Sequence, residues 1–169
     1  MIPTVAQQIS AVRNTIGKSV LPALDPNDSF AAEQAGLVLA CLDWVLDVQA
    51  FEYPYELAEY ADYRHTLMAL MELDPEYADE CRALLDETAS PATNPLELRQ
   101  QVRNVKELVA RRYGNLADAD GPRAESAHRI MAEVAARQTE RELAWCRMTG
   151  FPQGNVRNVG EVLRAQQRD

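Results

Sequence analysis

Glycine is scarce in this chain, with seven in 169 residues, and there are only two histidines. Scattered glycines leave no glycine-rich phosphate loop and few tight turns. Long runs of β-branched and aromatic residues are missing, so the ordinary signal for strands is absent. Neither histidine lies near a candidate nucleophilic Ser or Cys in sequence, so no catalytic triad pattern is present. Cys41, Cys81 and Cys146 are an odd number without C-x-x-C spacing, and they read as reduced thiols. The longest apolar run, Ala35 to Leu42, ends at Asp43. It falls short of the roughly 20 residues a spanning helix needs. Arg13 and Lys18 stand where the apolar core of a signal peptide would lie. The expectation is a cytoplasmic chain with no membrane segment.

What remains is helical. Ala, Leu, Glu, Arg and Gln dominate, and all are good helix formers. The length suits one domain with its own core, spanning 1–169, with 152–169 as a tail able to dock. A net charge of −9 argues against a nucleic-acid partner. Its distribution is uneven: Asp25 to Glu87 holds sixteen acids against Arg64 and Arg82, whereas Thr88 onward holds ten acids and thirteen bases. Complementary helices attracting inside one bundle account for this. The alternative is a basic face for an anion or an acidic partner.

The periodicity predicts a first helix over 4–21, with Val5, Ile9, Val12, Ile16 and Val20 on one stripe. A helix over 30–51 follows, then a break at Tyr53-Pro54. The next helix, over 55–73, has the stripe Leu57, Tyr60, Ala61, Arg64, Met68 and Met71. A short helix runs to 86. Asn94-Pro95-Leu96-Glu97 is a start signal for a helix with the stripe Leu98, Val102, Val105 and Val109, stopping at Gly114. Asp120-Gly121-Pro122 opens the longest helix, which ends at Gly150-Phe151-Pro152. Its stripe is Ala127, Ile130, Met131, Val134, Gln138, Arg141, Trp145 and Met148. Short connections imply antiparallel neighbours. The fold class is all-α: an up-down four-helix bundle with extra N-terminal, short connecting and C-terminal helices.

Two constellations could carry chemistry. Asp62/His65 and Glu125/His128 each place an acid three residues before a histidine, on one helix face. Ferritin-like di-iron or di-manganese proteins use Glu-x-x-His on two helices with lone carboxylates on two more. Glu33, Asp43, Asp47, Glu97 and Glu107 are candidates for those. Against this, both histidines fall off the apolar stripes, and the first pair has Asp for Glu, so solvated surface pairs are the bland alternative. The second constellation is Gln49, Arg64, Gln138 and Arg141, polar residues interrupting apolar stripes. A buried Arg needs an acid partner or a bound anion. These four predict either an internal ion-pair network or a pocket for an anionic small molecule. Arg99, Arg103, Lys106, Arg111 and Arg112 form a basic ridge, and Phe51 to Tyr63 is the most aromatic segment, suited to an oligomer contact.

Val20-Leu21-Pro22-Ala23-Leu24, followed by Phe30 and the run Ala35 to Leu46, resembles the start of small all-α bacterial proteins that accompany aminoglycoside-phosphotransferase-like kinases. The resemblance covers about the first 50 residues and implies an accessory, partner-binding protein without assigned catalytic residues. The functional expectation is a non-enzymatic helical interaction protein, self-associating or bound to a protein partner, with no cofactor. A ligand- or metal-binding bundle is the alternative.

Overall fold

A computed structural model describes residues 2–118 and 121–167. The all-α class expected from the sequence is the one observed: 82% of the described residues are helical, and no strand occurs among them. The chain divides into two compact units, one holding the chain up to Glu52 with Glu142–Glu161, the other Tyr53–Arg141 with the end from Val162.

The first unit is built on two helices, α1 (Val5–Thr15) and α2 (Ser29–Val48). Thr4 starts α1 with a capping box: its hydroxyl accepts the Gln7 N–H at 3.2 Å, and the Gln7 side chain accepts the Thr4 N–H at 2.8 Å. A π-helical turn, Ile16–Val20, and a 3-10 turn, Leu21–Ala23, end the first helix. Asp28 caps α2 by accepting the Ala31 N–H at 2.9 Å. Arg13 is bonded to Asp43 and Gly17 lies against Leu39, so the two helices run antiparallel. From the far end of the chain, the Trp145 carbonyl accepts the Trp44 indole N–H at 2.9 Å, and Arg147 pairs with Asp47. Gly150 ends that segment at φ 76, a left-handed conformation that favours glycine.

The hydrogen bond from Arg13 holds the Asp43 carboxyl below its ordinary value, against a smaller opposing effect of burial. A folded-state pKa below the unfolded value of about 3.9 means the pair's contribution is full above that pH. It is lost as pH falls through the depressed value. Circular dichroism of the chain between pH 5 and pH 2 is therefore expected to show an acid loss of helix that Asp43→Asn makes shallower.

The break expected at Tyr53-Pro54 does not occur. A 3-10 turn, Gln49–Phe51, leads straight into α3 (Glu52–Leu73). Pro54 falls in the first turn of α3, where its missing N–H has no intrahelical partner to lose. This makes 29–73 one helical run, long and apolar enough by composition to cross a membrane. That differs from the expectation drawn from the eight-residue run alone, because Asp43 and Glu33 are the sole charges between Ser29 and Leu46.

The second unit packs α3, α4 (Ala78–Glu87), α5 (Pro95–Ala117) and α6 (Pro122–Trp145) around one core. Leu67 and Leu70 of α3 meet Cys81 and Leu85 of α4, Val105 and Val109 of α5, and Ala127 and Val134 of α6. Of the four main helices the periodicity identifies, the one over 30–51 thus lies in the first unit. The short α4 is a full core member of the second. The end of α7 (Val159–Gln166) belongs to this unit too, with Val162 and Leu163 buried. Asn94 caps α5 as the sequence implies, accepting the Leu96 N–H at 2.9 Å. Gly114 does not stop α5, which runs to Ala117. Burial of Leu116 in the core outweighs a glycine penalty of about 1 kcal/mol. The expected start at Asp120 lies outside the described residues.

Candidate functional site

Two features stand out, one in each unit. In the second unit, α3 turns three acids, Glu56, Glu59 and Asp62, toward bases on α5 and α6. Arg99 bonds Glu56 at 2.7 Å, Lys106 bonds Glu59, and Arg137 bonds Asp62 at 3.0 Å. Arg141 lies at the centre, 1% exposed beside a 3% exposed Glu59. It donates to Glu59 Oε1 at 2.7 Å, to Asp62 Oδ2 at 2.6 Å and to Gln166 Oε1 at 2.7 Å. Burial acts to lower its pKa, but the carboxylates of Glu59 and Asp62 outweigh that, and the net shift is upward. Both terminal guanidinium nitrogens are therefore committed to protein acceptors. The cluster is an internal ion network that joins α3, α5, α6 and α7, and it accounts for the opposite charges of the chain's two halves.

The α3 face toward these bases is not the predicted one. The buried residues are Glu59, Tyr60, Tyr63, Thr66, Leu67 and Leu70, whereas Ala61 and Met68 are exposed. The buried face lies about one residue from the expected stripe. Here the acids turn inward because arginines and a lysine meet them.

The other singled-out residues lie apart from this cluster or at its edge. Arg64 donates to the Leu85 carbonyl at 2.7 Å and to the Thr88 carbonyl and hydroxyl at 2.5 and 2.7 Å. It thus closes the C-terminal end of α4, where carbonyls lack intrahelical donors and the helix dipole favours a cation. It stands on Tyr60, whose hydroxyl also donates to Thr88 O. Arg64→Ala is expected to cost about 1–3 kcal/mol in a urea melt, for a lost charged donor at partly buried carbonyls. Gln138 accepts the Tyr63 hydroxyl. Gln49 is half-buried in the 49–51 turn of the first unit.

Of the acid–histidine pairs, Asp62 is held by Arg137 and Arg141, while His65, Glu125 and His128 are exposed. His128 Nδ1 lies 2.9 Å from the Tyr113 hydroxyl. Asp43 and Asp47 are paired with Arg13 and Arg147. Among the described residues, no group of three His, Cys, Asp or Glu is placed to hold a metal ion.

The feature of the first unit is an outward apolar face. No residue of α1 is buried, and in α2 only Val48 is. Phe30 is 70% exposed, Leu37 57% and Val12 50%, and Val5, Val20 and Val38 are exposed as well. Isolated exposed apolar residues are ordinary, but here two neighbouring helices each show several. The face's sequence signal was the absence of charge between Gln34 and Leu42, in a helix too apolar to need only one buried stripe.

No family model, curated protein or solved structure matches the chain.

Proposed function

We propose that this chain is a non-enzymatic helical interaction protein that binds its partner through the outer face of α1 and α2. The observation that carries the reading is that face, with Val12, Phe30, Leu37 and Val38 exposed on two neighbouring helices. A helix pair of this length gains little from its own contacts, because most helix stability in proteins comes from packing an apolar face. A partner supplies that packing. The resemblance of Val20 to Leu24 and Ala35 to Leu46 to kinase-accompanying proteins agrees with an accessory role. The cytoplasm is the proposed setting, consistent with three free thiols.

In cell extract, the full chain is expected to sediment as a species heavier than one chain, and Val12→Glu with Leu37→Glu is expected to return it to the mass of one chain. A wild-type chain that sediments alone, or a heavy species indifferent to both substitutions, overturns the reading.

A further inference from the structure

We draw no further inference here: the strongest candidate, the cavity of the second unit that Tyr77 lines with Asp74, Glu76, Asn115, Asp118 and Arg123, is a mainly acidic surface cluster, and the buried guanidinium of Arg112 stacks on Tyr77 without lining it, so nothing in the structure points to a ligand there.

Discussion

Arg141→Ala is expected to lower the stability of the chain by about 3–5 kcal/mol, because it strands buried acid on α3. Arg141 bridges Glu59 and Asp62 with separate terminal nitrogens and reaches Gln166 with one of them. Lys106 still holds Glu59 and Arg137 still holds Asp62 after the substitution, which keeps the loss near the lower figure. Arg141→Lys retains the charge but not the fork that spans two carboxylates, so it is expected to recover part of the loss only. Arg141→Met combined with Glu59→Gln removes one charge of each sign and is expected to be milder than Arg141→Ala alone. Urea midpoints at constant slope check the series. Equal effects of all three variants would contradict the stranded-charge account, because neither keeping the charge nor removing that of Glu59 would then matter.

The second large effect is a contrast between two leucines. Leu67 is fully buried among residues from α3 to α6, and Leu67→Ala is expected to cost about 2–5 kcal/mol through lost transfer energy and the cavity left behind. Leu37→Ala removes the same atoms from the α2 face, 57% exposed, and is expected to leave the stability of the dilute chain within about 0.5 kcal/mol. The two leucines are alike in chemistry and in helix context. A large loss at both would place Leu37 in the folding core and leave the α2 face without a surplus for a partner.

Element type was legible wherever a cap or an apolar period spoke clearly. Asn94-Pro95 opens α5, and Leu98, Val102, Val105 and Val109 line its buried face as the spacing implies. Two local break signals did not end a helix. Pro54 sits where a helix tolerates it, and Gly114 is carried through by the burial of Leu116. The phase of α3 was not legible, because binary patterning assigns acids to solvent. Glu59 and Asp62 point inward to bases more than 40 residues away in sequence, and no local pattern records that pairing. The charge asymmetry of the halves was its one trace. Arg64 and Arg141 read alike from sequence, both polar breaks in a stripe. One caps α4 and the other anchors an ion network, a difference set by tertiary neighbours. Apolarity alone does not say which side of α2 the same chain covers: Leu39, Leu42 and Val45 are half-buried, whereas Phe30, Leu37 and Val38 are exposed.

A photo-crosslinking residue placed at position 37 of the full chain in its own cells, beside one at exposed position 133 on α6 as control, tests the central claim most directly. The account predicts a discrete adduct heavier than one chain from position 37, and none from position 133. No adduct from position 37, or the same adducts from both positions, would contradict the assignment of the α1–α2 face as the binding surface.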